Sequence, residues 1–238
     1  MDYITMLAKF GSVGAHPGGF AATKALLASY PLPPQSRVLE IGSGTGQTAC
    51  YLAAQGHHVT ATDAHEQMVD KLRKRAELHR LDIHTVQADA CQQPWSDGQF
   101  DVVFFESVLN FTQVDAALAE CYRVVRHGGR IIGRELMVDE RIPGDRRERL
   151  RRFFGMPQLL TLQAWQQQFE QLSPAAIELL EYAPFHLHTR KSDEEEGAEF
   201  IDEGVFEDAS LLRTAILHDE LLYDNADYLF SGLFRITK

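Results

Sequence analysis

Short apolar runs alternate with longer helical stretches from Arg37 to Met137, and this alternation restricts the chain to a few folds. The pattern predicts parallel strands joined by crossover helices. The predicted strands are Val38–Ile41, His58–Thr62, Ile83–Gln87, Phe100–Glu106 and Arg130–Met137. The predicted helices between them are Gln47–Gln55, Glu66–His79 and Val114–Arg126. Because such crossovers are right-handed, the helices cover both faces, and we predict an α/β fold with a doubly wound sheet.

The segments that flank this region follow a different pattern. Residues 1–36 contain a predicted helix at Phe20–Ser29, after a stretch with several glycines. Residues 138–238 contain further predicted helices and strands, which are Asp145–Phe154, Thr161–Leu172, Ile177–Tyr182 and Tyr228–Thr237. The charged stretch Arg190–Asp208 indicates a solvated surface segment.

The charge balance argues against polyanionic partners. The 238 residues include 23 Lys and Arg and 34 Asp and Glu, which gives a net charge of −11. Nucleic acids and anionic membranes would be repelled over most of such a surface. No apolar run reaches the ~18 residues of a spanning helix, and the first residues show no secretion signal. Three well-separated cysteines exclude a disulfide framework, so we expect a soluble protein of the cytoplasm.

A glycine-rich turn follows the first predicted strand directly. The sequence Glu40-Ile-Gly42-Ser43-Gly44-Thr-Gly46 leads from a strand into a helix, so its glycines permit a tight turn and close approach of a ligand. The spacing is G-x-G-x-G and not the G-x-G-x-x-G preferred for a pyrophosphate. The acidic Glu40 ahead of the turn suits a cationic ligand better than a dinucleotide phosphate.

Acidic residues follow the next predicted strands at the same edge of the sheet. Asp63 lies about 20 residues after the glycine turn, where a carboxylate can accept hydrogen bonds from both hydroxyls of a ribose. Asp63 also resembles the first residue of a capping box, but ribose binding is the favoured interpretation. Asp89 can accept a hydrogen bond from an adenine amino group, although an isolated residue of this kind is more often part of a turn. Glu106 ends the fourth strand, beside the switch point where such sheets bind ligands.

These residues resemble the motifs of class I S-adenosylmethionine-dependent methyltransferases. The likeness extends to Pro94-Trp-Ser-Asp-Gly-Gln-Phe-Asp-Val-Val and to Arg126-His-Gly-Gly-Arg130, and the small-molecule branch with ubiquinone and menaquinone methyltransferases is most similar. The resemblance implies a Rossmann-like, seven-stranded, mostly parallel sheet with an antiparallel last strand. It also implies S-adenosylmethionine as cofactor and S-adenosylhomocysteine as product. The implied cofactor contacts are Glu40, Gly42, Ser43, Gly44, Gly46, Asp63, Ala64, Met68, Asp89, Ala90 and Glu106.

The resemblance also predicts how the whole chain is organised. We expect one domain over residues 1–238, with an amino-terminal cap or lid at 1–36 and a cofactor-binding core at 37–137. Residues 138–238 then supply acceptor-side helices and terminal strands. The expected reaction is in-line displacement of the sulfonium methyl group by a small-molecule acceptor. This reaction needs a base only where the nucleophile carries a proton.

Few side chains are candidates for catalysis. The candidates are Glu106, His16 and Tyr3, with Asn110 and Glu135 as further polar residues near the strand ends. Glu106 is interpreted as a cofactor contact in preference to a general base. His16 lies in a glycine-rich segment that can close over the site and exclude water.

Other features leave alternatives open. Five arginines, at 146, 147, 149, 151 and 152, could attract an anionic acceptor, but a solvated helix face paired with Asp145 and Glu148 explains most of them better. His186 and His188 could ligate a metal, yet solvated imidazoles are favoured and no metal site is predicted. The alternative functions are a nicotinamide-dependent Rossmann oxidoreductase and an S-adenosylmethionine-binding protein with chemistry other than methyl transfer.

Overall fold

Seven strands form one sheet in the part of the chain that this computed structural model describes, which is residues 2–12, 14–185 and 200–238. The strands are β1 (Arg37–Ile41), β2 (His58–Asp63), β3 (Ile83–Gln87), β4 (Phe100–Glu106), β5 (Val125–Val138), β6 (Ala176–Pro184) and β7 (Leu229–Thr237). Their order across the sheet is β3-β2-β1-β4-β5-β7-β6. The strands β1 to β5 pair in parallel, whereas β7 is antiparallel to both β5 and β6. The predicted mostly parallel sheet with an antiparallel last strand is confirmed.

Helices cover both faces of this sheet. They are α1 (Tyr3–Phe10), α2 (Gly19–Ser29), α3 (Gln47–Ala54), α4 (Glu66–Leu78), α5 (Val114–Val124), α6 (Gly144–Phe154), α7 (Leu162–Glu170) and α8 (Ala209–Asp224). Successive residues of a strand point to opposite faces. Leu39 and Val103 therefore pack with α5 and α7 in one core, while Val38 and Val102 pack with α2, α3 and α4 in the other. Among the described residues, no helix is both long and apolar enough to cross a bilayer.

A third apolar cluster lies beyond the carboxyl end of β5. It joins Tyr3 and Met6 of α1 to Phe154 of α6, Leu221 of α8 and Val138 of β5. Three segments that are far apart in the sequence therefore meet at the end of the sheet where the strand-end acids lie. We call α1, α6 and α8 together the cap helices.

The helices α1 and α8 were not predicted, and part of the charged stretch Arg190–Asp208 is buried. The apolar pattern of α8 is blurred because Ile216 and Tyr223 are exposed, at 60% and 76%, while His218 is buried. Residues 190–199 lie outside the described part of the chain. Beyond them Phe200 and Val205 are buried, so residues 200–208 are not a fully solvated segment.

The boundary between α5 and β5 also differs from the prediction. The helix ends at Val124, and β5 begins at Val125, which pairs with Phe100 of β4. The ammonium group of Lys238 donates to the carbonyl oxygens of Tyr122, Arg123 and Val125. A cation at the end of a helix satisfies carbonyl groups that lack an intrahelical partner. Lys238 thus helps to end a helix more than 100 residues earlier in the sequence.

Candidate active site

A cavity of about 530 Å³ lies between the carboxyl ends of the parallel strands and the amino-terminal segment. Its lining includes most of the site residues predicted from the sequence. These are Tyr3, His16, Gly42, Gly44, Asp63, Ala64, Met68, Asp89, Ala90 and Glu106. Glu40, Ser43 and Gly46 do not line the cavity, and they support the turn from behind.

The three glycines of the turn are needed for different reasons. All three have a positive φ, between 52° and 85°. A Cβ on Gly42 would lie 2.3 Å from a methyl group of Val108, and one on Gly46 would lie 2.5 Å from Leu72. A Cβ on Gly44 would meet nothing within 4 Å. Gly42 and Gly46 therefore permit close packing, whereas Gly44 opens onto the cavity.

Asp63 fixes this turn to the end of β2. Its carboxylate accepts a hydrogen bond from the backbone N–H of Gly44 and another from that of His65, each at 2.8 Å. Burial raises the pKa of Asp63, and these two hydrogen bonds oppose that shift. The residue that caps α4 is His65, so Asp63 does not cap this helix and the capping-box alternative is wrong.

Two further polar residues stand behind the turn. The hydroxyl of Ser43 donates to the carbonyl oxygen of Thr62 at 3.2 Å. Glu40 is 6% exposed, and its Oε2 has no hydrogen-bond partner among the described residues. Burial, reinforced by the negative charges of Glu106 and Asp63, raises the pKa of Glu40 well above its usual value. A cation bound in front of the turn would oppose this shift.

Asp89 is exposed and lines the cavity after the end of β3. Its Oδ1 accepts a hydrogen bond from the backbone N–H of Cys91 at 2.8 Å. The side-chain amide of Gln93 donates to the backbone carbonyl oxygen of Asp89 at 2.8 Å. These bonds hold the loop in place and leave Asp89 at the rim of the cavity.

Glu106 is the centre of a polar network at the end of β4. The hydroxyl of Thr23, on α2, donates to its Oε2 at 2.7 Å. Nε of Arg134, on β5, lies 3.5 Å from its Oε1, and Nε2 of His16 lies 3.5 Å from Oε2. The guanidinium of Arg134 also pairs with Glu181. Thr23 and Arg134 are fully or almost fully buried, so the carboxylate of Glu106 has a fixed orientation.

The surroundings of the His16 ring consist of acceptors. Nδ1 lies 3.4 Å from the carbonyl oxygen of Pro17. Nε2 lies 3.3 Å from the hydroxyl of Thr23, which donates its own proton to Glu106. These contacts connect the loop before α2 to the end of β4.

Tyr3 contributes an aromatic wall. Its ring stacks on Phe111 at 6.0 Å and on His218 at 5.4 Å between centroids. The edge contact with Phe154 has a centroid distance of 4.8 Å. Tyr3 thus belongs to the cavity and to the apolar cluster of the cap helices at once.

Asn110 and Glu135 are both outside the cavity lining. Oε1 of Glu135 accepts hydrogen bonds from the backbone N–H groups of Val108 and Leu109, at 2.9 and 2.8 Å. Its Oε2 accepts one from the side-chain amide of Asn110 at 3.0 Å. Both residues are completely buried, and they support the turn that follows β4.

The arginine cluster does not line the cavity either. Arg151 and Arg152 pair with Glu148, as the helix-face interpretation predicts. Arg147 donates to the carbonyl oxygen of Leu159, and Arg146 to that of Asp224 at 2.9 Å. These arginines therefore stabilise the surroundings of α6.

No group of three or more potential metal ligands occurs among the described residues. His186 and His188 lie outside the part of the chain that the structure describes.

The sequence analysis did not find Thr23, Arg134 or Phe111. Arg134 had a detectable signal, because a charged residue inside a long apolar strand needs a partner. Thr23 and Phe111 had none, because their positions depend on how distant segments pack.

A parallel sheet with this glycine turn after β1 and an acid after β2 is characteristic of Rossmann-like cofactor-binding proteins. A family described as a methyltransferase domain matches residues 39–133. An uncharacterized methyltransferase of Bacillus subtilis, YodH, is 30% identical over 98% of this chain and 97% of its own length. A demethylmenaquinone methyltransferase of Thermus thermophilus is 36% identical, over 40% of this chain and 45% of its own length.

Solved structures show the same fold. An S-adenosylmethionine-dependent methyltransferase of Geobacter sulfurreducens, in complex with S-adenosyl-L-homocysteine, superposes with a TM-score of 0.74 at 18% identity, over 100% of this chain and 98% of its own. The chain belongs to the class I S-adenosylmethionine-dependent methyltransferases, as the resemblance implied. This result sets aside the nicotinamide-dependent alternative.

The role of Gly44 can be tested against a second glycine of similar geometry. Gly56 also has a positive φ and open space at its Cβ position, but it does not line the cavity. Gly44→Ala and Gly56→Ala should each lower stability by roughly 1 kcal/mol through backbone strain. We expect Gly44→Ala alone to weaken S-adenosylhomocysteine binding, by about tenfold or more, in titration calorimetry. Equal affinities in the two variants would contradict this placement of the ligand.

Glu135 should give the folded protein a measurable pH dependence. Burial raises the pKa of Glu135 from 4.5 to about 7. An acid with a raised folded-state pKa binds its proton more tightly in the folded state, so its contribution to stability falls as pH rises between these values. From pH 4.5 to pH 7.5, the free energy of unfolding measured with urea should fall by about 1 to 3 kcal/mol more in wild type than in Glu135→Gln. The exposed Glu140→Gln variant serves as control, and parallel curves for wild type and Glu135→Gln would refute the assignment.

Proposed function

We propose that this methyltransferase transfers a methyl group from S-adenosylmethionine to a small-molecule acceptor held between the cap helices and the ends of β4 and β5. The observation that carries the proposal is the continuous cavity of about 530 Å³. Its volume lies in the range typical of small-molecule sites. Asp63 and Asp89 line it at the ends of β2 and β3, whereas Tyr3, His16 and Glu106 line it from α1, the loop before α2 and the end of β4.

The acidic side of the cavity is the proposed place for the cofactor. The family resemblance assigns the ribose hydroxyls to Asp63 and the adenine amino group to Asp89. The open side of Gly44 leaves room for the cofactor beside the backbone. A sulfonium and an amino group are cations, which suit the carboxylates of Asp63 and Glu106.

The charge of the cavity also bears on the acceptor. Among the described residues, no lysine or arginine lines it. An anionic acceptor would therefore face the carboxylates of Asp63, Asp89 and Glu106 with no lysine or arginine in the cavity wall, so we propose a neutral or cationic one. The match to the demethylmenaquinone methyltransferase covers only 40% of this chain, so we do not propose its acceptor for this protein. The free thiols and acidic surface favour action in the cytoplasm on a small molecule.

Glu106 is the proposed catalytic residue. Its carboxylate is oriented by Thr23 and Arg134 at the boundary between the two sides of the cavity. In that position it can stabilise the positive charge that passes from sulfonium to acceptor, or accept a proton from the acceptor. His16 holds the loop before α2 against Glu106, and Tyr3 offers an aromatic surface to the acceptor. Residues 1–36 thereby act as a lid.

Binding and turnover experiments test the proposed reaction. S-Adenosylhomocysteine should bind in calorimetry, whereas NAD should not. A metabolite extract is then separated by ion exchange into anionic, neutral and cationic fractions and incubated with methyl-labelled S-adenosylmethionine. We expect a labelled product from the neutral or cationic fraction by mass spectrometry. Label found only in the anionic fraction would overturn the acceptor class, and binding without any labelled product would favour a function other than methyl transfer.

The role of Glu106 can be separated from that of its neighbours. Glu106→Gln keeps the shape of the side chain but removes its charge. We expect the rate of methyl transfer to fall about 100-fold or more, with S-adenosylhomocysteine affinity changed by less than about threefold. Glu140→Gln removes an exposed carboxylate that does not line the cavity and should leave the rate nearly unchanged. A large loss of affinity in Glu106→Gln at an unchanged maximal rate would reduce Glu106 to a cofactor contact.

A further inference from the structure

Lys71 is a buried cation on α4 with no part in the proposed chemistry. Its side chain is 10% exposed, and its Nζ lies 2.7 Å from Oδ1 of Asp202. The same ammonium donates to the carbonyl oxygen of Ala8 in the last turn of α1. The backbone N–H of Asp202 donates to the carbonyl oxygen of Lys9 at 2.9 Å. One lysine therefore connects α4, the end of α1 and the segment around Asp202.

Arg75, one helical turn further along α4, reinforces this connection. Its Nε donates to the carbonyl oxygen of Thr45, in the glycine-rich turn, at 2.9 Å. Its guanidinium lies 4.2 Å from the centroid of the Phe200 ring. The carbonyl group of Phe200 packs against Gly11, where a Cβ would lie 2.4 Å from its oxygen. The helix α4 thus holds residues 200–202 in place, and these residues cover the carboxyl end of α1.

The position of α1 must come from such contacts. A helix of eight residues is too short to be stable alone. Its last carbonyl groups carry partial negative charge, which a cation next to them stabilises. A buried ammonium, in turn, is tolerated only where acceptors and an opposite charge surround it. Ala8, Asp202 and Lys71 satisfy both requirements together.

The connection has a consequence for the active site. The helix α1 contributes Tyr3, Ile4 and Leu7 to the cavity wall, and α4 contributes Met68. We propose that Lys71 is a positioning residue for methyl transfer, which clamps α1 over the cavity through Ala8 and Asp202 and so slows release of the cofactor. This role rests on the proposed function, because it assumes that the cofactor lies beneath α1.

Hydrogen exchange of the full chain tests the clamp without any ligand. Lys71→Met keeps the length of the side chain but removes its charge, and Lys74→Met is the matched control because Lys74 is an exposed lysine of the same helix. In Lys71→Met we expect amides of residues 2–11 to exchange about tenfold faster, with the strands of the sheet unchanged. Lys74→Met should exchange like wild type. Unchanged protection of residues 2–11, or faster exchange of the whole sheet to the same degree, overturns the clamp.

Cofactor release provides the second readout. The dissociation rate of S-adenosylhomocysteine should rise about fivefold or more in Lys71→Met and return toward the wild-type value in Lys71→Arg, which restores the cation. If Lys71→Met does not fold, Asp202→Asn, at the partly exposed side of the pair, should show the same changes to a smaller extent. Failure of wild type to bind S-adenosylhomocysteine would refute the proposed function but leave the exchange result for the clamp intact. Normal binding with an unchanged dissociation rate in Lys71→Met would refute the positioning role alone.

Discussion

The hydrogen bond from the backbone N–H of Gly44 to the carboxylate of Asp63 joins the two strand ends on which the site is built. Gly44 belongs to the turn after β1, and Asp63 is the last residue of β2, so parallel pairing already brings them together. A second bond, from the N–H of Ser43 to the carbonyl oxygen of Thr62 at 3.0 Å, fixes the turn from the other side. Because both bonds use the backbone of the turn, Gly44 keeps its positive φ and its open side faces the cavity. The part of the cavity that is proposed to hold the cofactor is therefore determined mainly by backbone geometry.

Side chains alternate along β5, so its neighbouring residues Arg134 and Glu135 act at different places. Arg134 reaches Glu106 of β4, and Glu135 is a second buried acid with a different role. Arg134 and Glu135 are neighbours, so their side chains point to opposite faces of the strand. Arg134 is the register partner of Glu106 in the parallel pair β4–β5 and lies beside its carboxylate. Glu135 points the other way and accepts three hydrogen bonds from the turn at residues 108–110. One pair of adjacent residues thereby orients the proposed catalytic carboxylate and supports the loop that follows it.

Local pattern was enough to predict the core and the cap helix α6, but not α1 or α8. The strands β1 to β4 were predicted to within one residue, because their apolar runs end at turns or acids that can be read directly. The predicted start of β5 was wrong because β5 follows α5 without a loop. The helix α8 was missed because two of its apolar residues, Ile216 and Tyr223, are exposed. Within the site, Asp63 and Glu106 could be predicted because strand ends of a parallel sheet meet at one edge. Thr23 and the stacking of Tyr3 on Phe111 could not, because these contacts arise only when α1 and α2 pack against the sheet.

The match to the methyltransferase family covers residues 39–133, which is the core, and leaves out the cap helices. Backbone bonds hold the cofactor side inside that region, and they do not depend on the cap helices. The acceptor side is different, because Tyr3 lines the cavity and also packs on Phe154 and His218 in the apolar cluster. A change that reshapes the acceptor wall at Tyr3 therefore also alters the packing that holds α1, α6 and α8 together. Recognition of the proposed acceptor is thus coupled to the packing of the cap, whereas the glycine-rich turn has its own hydrogen bond to Asp63 inside the core.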